Sequence, residues 1–262
     1  MTQATAQPRR HQATLALDAR ATLGECIRWD ERQKLIYWVD IPGRQLHRYD
    51  PATGRDDAMP LAQEMGCFAL AERGGFICGM RSGYARLDRF GGDFTPLASP
   101  DYDPAKARFN DGRCDSAGRF WAGTMWEPRD RAGGIVYRLD ADGRFGAQCN
   151  PVIIANGITF APDGRSMTLA DTTNHVLWAF DYDLVTGIPS SRRELRSYEP
   201  ASGRPDGACV DAEGNVYVAI MAGGRVEKIS PTGELLALIE LPIPNITCCT
   251  FAGDELRTLY ST

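Results

Sequence analysis

The chain has 262 residues, 43% of them hydrophobic, with 27 glycines and 16 prolines, enough apolar side chain for a sizeable core and enough turn formers for many short connections. Lys and Arg number 29 against 34 Asp and Glu, a formal charge of −5 spread without a basic run, which argues against a nucleic-acid or anionic-membrane surface. With three histidines and no H-E-x-x-H, G-x-S-x-G, G-x-G-x-x-G or P-loop pattern, a histidine-built zinc centre, an ordinary serine hydrolase and a nucleotide site are all disfavoured. Chemistry on this chain falls to carboxylates, amides, arginine or a metal.

Residues 1–12 are polar, carry Arg9 and Arg10, and lack the apolar stretch of a secretory signal, so a flexible N-terminal segment is expected there. No segment is apolar for long enough to span a membrane. The eight cysteines form no C-x-x-C, and Cys248 and Cys249 are adjacent, which suits core packing in a reducing compartment. A cytoplasmic protein is expected, a monomer or weak homo-oligomer with no nucleic-acid or membrane partner.

From residue 13 onward the chain repeats. Ala13–Leu17 reads as a short strand that closes the last repeat. Similar units then begin at Ile27, Cys67, Gly112, Gly157, Gly207 and Thr247, each with an alternating strand, a turn usually of Asp-x-x-Gly or Asp-Gly type, and a more apolar strand. Most add a third strand behind a further turn, as in QLHRYDPATGR, GIVYRLDADGR and RVEKISPTGE. The centres of the second strands, near Val39, Gly79, Gly123, Ala170, Ala219 and Ser261, lie 40 to 49 residues apart. That period, with three or four strands per unit, predicts an all-β, six-bladed propeller over residues 13–262. The sixth unit has its first two strands and no third, so the last blade is expected to be incomplete.

Counting back from each inter-strand turn brings Glu25, Gly66, Asn110, Asn156 and Asp206 to equivalent places, just before the first strand of five units. Equivalent places in a ring of blades lie in a circle at one end of its axis. Two carboxylates and amide oxygens converging there repel one another without a cation. Oxygen donors without His or Cys suit Ca²⁺, Mg²⁺ or Mn²⁺, and tolerate Zn²⁺ or Fe²⁺. The competing explanation is that Asn-Gly and Asp-Gly only form turns, which leaves Glu25 unexplained. Asp111 and Asp171 read as turn caps, and Trp126 as the tryptophan nearest a substrate.

At these residues the chain resembles the senescence-marker-protein/gluconolactonase family, the regucalcin-like sugar lactonases. The resemblance rests on LGECIRWDERQKLIYWVDI, RFNDGRCDSAGRFWAGTM, ANGITFAPDG, AFDYDLVTG, RPDGACVDAEGNVYVA and TCCTFAGDELRTLY, in that order, across residues 13–262. It implies a six-bladed propeller with one divalent metal on Glu25, Asn156 and Asp206, and Arg108 and Asn110 hydrogen-bonded to a sugar. Glu127 matches the first of two acids that follow G-T-M in the family, and Pro128 stands at the second, sugar-contacting place. Cys26 stands where the family commonly has Gly or Ser, a thiol either near the metal or simply buried. The implied activity is metal-dependent hydrolysis of a sugar-acid lactone with Asp206 as catalytic base; the alternative is a non-catalytic, calcium-binding propeller.

Overall fold

The computed structural model describes residues 7–262. The alternating segments form short antiparallel strands because Val, Ile, Tyr, Phe and Trp recur at every second place and turn residues interrupt them. Asp115 shows how the turns are made. Its Oδ1 accepts the backbone N–H groups of Ala117 and Arg119 at 3.0 Å, and Gly118 takes the positive φ of 81° that the turn requires. Asp211 does the same for Glu213 and Asn215, with Gly214 at φ 81°.

Four sheets contain four strands each in simple up-and-down order, and a fifth contains five. Their inner strands are Gly24–Asp30, Met65–Leu70, Ala107–Cys114, Ala155–Phe160 and Arg204–Val210. The sixth unit forms only the ladder of Cys249–Ala252 with Thr258–Ser261. Five blades are therefore complete. The expectation of six is met by five blades, and the sixth, expected to be incomplete, is present among the described residues as this two-stranded ladder. One 3-10 turn, Pro200–Ser202, interrupts the strands, and among the described residues no helix is long and apolar enough to cross a membrane.

The N-terminal strand differs from expectation. Residues 1–6 of the segment expected to be flexible lie outside the described residues. Arg9–Gln12 form a strand parallel to Leu235–Glu240, with Arg9 opposite Ala237 and Gln12 opposite Glu240. It extends the fifth blade rather than the last. Leu235–Glu240 would otherwise be an open edge of unpaired backbone groups, and Arg10 adds an ion pair to Glu240. Ala13–Leu17, the stretch expected to be the closing strand, is not a strand. Ala16 accepts a hydrogen bond from Tyr49 Oη at 3.4 Å, and Leu17 packs on the apolar group around Ile27 and Trp38.

The core lies between blade faces. One apolar group joins the first three blades through Tyr37, Phe68, Tyr84 and Phe109, and another joins the third and fourth through Trp121, Phe160 and Tyr182. Blade-to-blade packing of this kind orders the inner strands round an axis.

Candidate functional site

Each of the five complete blades carries the same irregularity. The pairing of inner and second strands slips by one residue between Glu25 and Arg28, Met65 and Cys67, Phe109 and Gly112, Asn156 and Thr159, and Pro205 and Ala208. An extra residue on one strand of an antiparallel pair is a β-bulge, which bends the strand and redirects its side chains. Glu25, Gly66, Asn110, Asn156 and Asp206 all sit at these bulges. They lie inside the inner strands, not just before them as the turn count implied. The glycine of the second blade is required by crowding, since a Cβ there would lie 2.0 Å from the carbonyl oxygen of Phe109.

The bulges bring the polar side chains together. Asn110 Nδ2 donates to Asn156 Oδ1 at 2.8 Å, across the boundary between the third and fourth blades. Asn156 Nδ2 donates to Thr172 Oγ1 at 2.8 Å, and Thr172 Oγ1 donates to the carbonyl of Pro205 at 2.8 Å, beside Asp206. Because the Thr172 proton goes to a carbonyl, the hydroxyl must accept from Asn156, and this fixes which way the amide faces. Asn156 Oδ1 keeps one lone pair beyond the one Asn110 uses.

Glu25 and Asp206 are both buried, each 5% exposed. Burial, then the charge of Asp111, pushes the Glu25 carboxyl up to about 8. Burial, then the charge of Glu25, pushes Asp206 well above the usual carboxylate range. Asp206 Oδ1 is sealed from solvent without a hydrogen-bond partner among the described residues. A buried acceptor left unpaired beside a second buried carboxylate is costly, and a cation relieves both costs. Among the described residues no three His, Cys, Asp or Glu side chains cluster to hold a metal ion. The candidate donor set has two carboxylates and completes itself with the Asn156 amide oxygen. That all-oxygen set fits a hard divalent cation.

Arg108 and Glu127 lie next to this set. Arg108 is 7% exposed, and its Nη1 donates to Asn110 Oδ1 and to the Phe109 carbonyl, both at 2.9 Å. It is not paired with Asp101 or Asp103 on the surface. Burial holds its guanidinium below the usual range, although an arginine so lowered still carries its charge near neutrality. Arg108 Nε stands 3.7 Å from Glu127 and 3.8 Å from Glu64. Both Glu127 oxygens accept from Arg81, at 2.8 and 2.9 Å, and this pairing lowers the Glu127 carboxyl. Glu127 and Arg108 are thus neighbours without a hydrogen bond between them.

Two participants escaped the sequence argument. Asp111, read as a turn cap, is buried within the third bulge, where its Oδ1 accepts from Gly112 N at 2.8 Å and lies 3.6 Å from Arg28. Its charge acts on both Glu25 and Asp206. The available signal was its place one residue after the ring position of Asn110. The second is the pair Arg81 and Glu64 at the end of the second blade's inner ladder, where Arg81 N donates to the Glu64 carbonyl at 2.9 Å as Thr172 N does to Ile154 at 3.3 Å in the fourth blade. Asp171, also read as a turn cap, accepts from the Asn174 side chain at 2.7 Å and caps no backbone N–H, and its Oδ1 is buried without a partner among the described residues. Trp126 is only partly buried; its Nε1 donates to Asp130 at 2.7 Å and Arg131 covers its ring. Cys26 has a positive φ of 49°, near the 56° of Gly157 at the same place in the fourth blade. Its Sγ accepts from Phe68 N at 3.2 Å, and burial pushes the thiol up to about 11. It is a packing thiol tied to the second blade.

Residues 23–262 match the family described as "SMP-30/Gluconolactonase/LRE-like region". The chain is similar to the 6-deoxy-6-sulfogluconolactonase of Pseudomonas putida, with 44% identity covering 92% of this chain and 83% of that one. It is also similar to the regucalcin of Xenopus laevis, with 35% identity covering 92% and 82%. Among solved structures, the calcium-binding protein regucalcin from Agrobacterium tumefaciens superposes with a TM-score of 0.91 and 26% identity, covering 98% of this chain and 88% of that one.

Proposed function

Since the chain belongs to the SMP-30/gluconolactonase/LRE-like family, we propose that it hydrolyses a sugar-acid lactone in a reaction that depends on one divalent cation. The observation that carries this reading is the pair of buried carboxylates, Glu25 and Asp206, with the unpartnered Oδ1 of Asp206, on bulged inner strands beside the Asn156 amide.

In this reading Glu25, Asn156 and Asp206 hold the cation, which when bound supplies Lewis-acid stabilisation of the negative charge that develops on a lactone carbonyl oxygen. Asp206 Oδ1 is the acceptor left for the proton of the attacking water. Beside a bound cation its ionised form is favoured and it is a weak base, so the proton transfer depends on close placement of the water. Arg108 and Asn110 orient the sugar hydroxyls and so convert an encounter into a reactive approach. Asn110 serves two partners, since its Nδ2 fixes Asn156 and its Oδ1 fixes Arg108. Glu127 contributes to the sugar site through Arg81.

The test is acid release from glucono-, galactono-, xylono- and arabinonolactone by chelator-stripped protein resupplied with Ca²⁺, Mg²⁺, Mn²⁺, Fe²⁺ or Zn²⁺. Hydrolysis above the spontaneous rate, lost together with metal binding in Asp206→Ala, is the expected result. The similarity to a calcium-binding regucalcin supports a second reading, a propeller that binds calcium without turnover. Tight calcium binding by a folded protein that hydrolyses none of these lactones with any cation would establish it.

A further inference from the structure

Four charged side chains meet at the mouth of the site, two guanidiniums and two carboxylates, and they share their contacts unequally. Arg81 follows the second strand of blade two. It donates to Glu64 through Nε at 2.7 Å and again through Nη2, to Glu127 through both terminal nitrogens at 2.8 and 2.9 Å, and to the Pro104 carbonyl at 2.7 Å. Its own carbonyl accepts from Tyr102 Oη at 2.8 Å. Arg108 faces the same two carboxylates from 3.7 and 3.8 Å, beyond hydrogen-bond reach. Its Nη1 is committed to Asn110 and Phe109. Its Nε and Nη2 donate to nothing among the described residues, and neither is sealed from solvent.

This imbalance is unusual for a guanidinium so deeply buried. A charged donor a few tenths of an ångström outside bonding range of two carboxylates closes on them unless something else holds them. We propose that Arg81 is a positioning residue for sugar recognition: by binding both Glu64 and Glu127 it keeps them off Arg108, so that the Nε and Nη2 donors of Arg108 stay free for ring hydroxyls of the lactone. The two arginines neutralise the two carboxylates, so the mouth carries no net charge from this cluster and suits an uncharged polyol ring. Glu64 enters the site from the second blade, where the ring position itself is the bare Gly66. The inference rests on the lactonase reading for the ligand, but its geometry can be tested without one.

Arg81→Met removes the competing cation and keeps a stem of similar length. Glu64 and Glu127 then close on Arg108. The first readout is the ¹H–¹⁵N signal of Arg108 Nε in the cation-loaded protein, which moves downfield on ion pairing. It should move in Arg81→Met and return in Arg81→Met/Glu64→Gln/Glu127→Gln, where no carboxylate remains to close. The second is lactone kinetics. Loss of one charge-assisted contact to the sugar predicts a KM about tenfold higher in Arg81→Met with kcat within about twofold.

A folded Arg81→Met protein with an unmoved signal and an unchanged KM would overturn the proposal. So would a signal that the triple variant fails to restore, because Arg81 would then be shaping the loop rather than competing for the carboxylates. A signal that moves and returns as expected, in a protein that hydrolyses no lactone with any cation, would leave the positioning role standing and remove the lactonase reading instead.

Discussion

The two buried carboxylates make the metal-free protein sensitive to pH in a direction opposite to ordinary acid denaturation. Glu25 has an ordinary carboxyl value of 4.5 in the unfolded chain and is pushed up to about 8 in the folded one, first by burial and then by Asp111. Between those values the folded protein holds a proton that the unfolded chain has released. The contribution is therefore fully present below 4.5 and is lost as pH rises through about 8. Asp206, raised further, extends the loss in the same direction above that point. Glu25 is too deeply buried for solvent screening to erase the effect, so the loss is on the order of 4 kcal/mol, or roughly 10 °C in Tm for a chain of this size. Carboxylates held low by partners, such as Asp30 and Asp115, act below 3.8 and leave this window clear. The assay is thermal unfolding in chelator across pH 5 to 9, repeated with Glu25→Gln and with saturating calcium. The slope should flatten in Glu25→Gln, which removes the titrating group. It should also flatten with calcium, because the cation replaces the protons and stabilises only the folded chain. A slope of the same size in Glu25→Gln would refute the assignment of the effect to this residue.

Thr172 fixes the face that Asn156 presents, so Thr172→Val should free the amide to turn and lower calcium affinity roughly tenfold, measured by calorimetry, and should also cost about 2 kcal/mol of stability because the Pro205 carbonyl loses its buried partner. Gly66→Ala places a Cβ 2.0 Å from the Phe109 carbonyl, where backbone rather than a flexible side chain must yield. It should destabilise the fold by about 3 kcal/mol, seen in urea unfolding, and disturb Asn110 next to the collision.

Most of the fold was legible because turn chemistry recurs with the blades. Asp115 and Asp211 make the same Asx turn in different blades, and a period counted on such turns found the bulge residues without any motif. What the count missed is set by pairing between strands. It placed Glu25 and Asp206 before the inner strands because a bulge reads locally like a strand end, with polar or small residues in an otherwise apolar run. It took Asp111 for a turn former for the same reason. The edge chosen by Arg9–Gln12 depends on which outer strand lies open nearby, and that information is nonlocal. The Arg81–Glu64–Glu127 cluster was not legible as a unit because it joins Arg81 and Glu64, opposite each other at the end of the second blade's inner ladder, to Glu127 of the third blade, and side-chain contact between blades is nonlocal.

The thin sixth sheet bears on the site more directly than its two strands suggest. A gap between the fifth and first blades would separate ligands drawn from distant blades. The inner circle, however, is closed by Thr247, just before the sixth inner strand. Its carbonyl accepts from Gly207 N at 2.6 Å, next to Asp206, and its Oγ1 donates to the Gly24 carbonyl at 2.5 Å, next to Glu25. One residue thereby ties the neighbours of the two buried carboxylates together across the gap between the fifth and first blades. Thr247 N in turn donates to the Thr262 carbonyl at 3.0 Å, and Thr262 N to the Cys248 carbonyl at 3.1 Å, so even the short ladder locks this link. Arg28 adds a contact from the first inner strand to Cys248 Sγ at 3.8 Å. Outer strands widen a blade and cover its faces, but the relative placement of Glu25 and Asp206 is set by inner strands and by this tie. The Thr247 link and the two strands beside it hold this side of the site through inner-strand contacts alone.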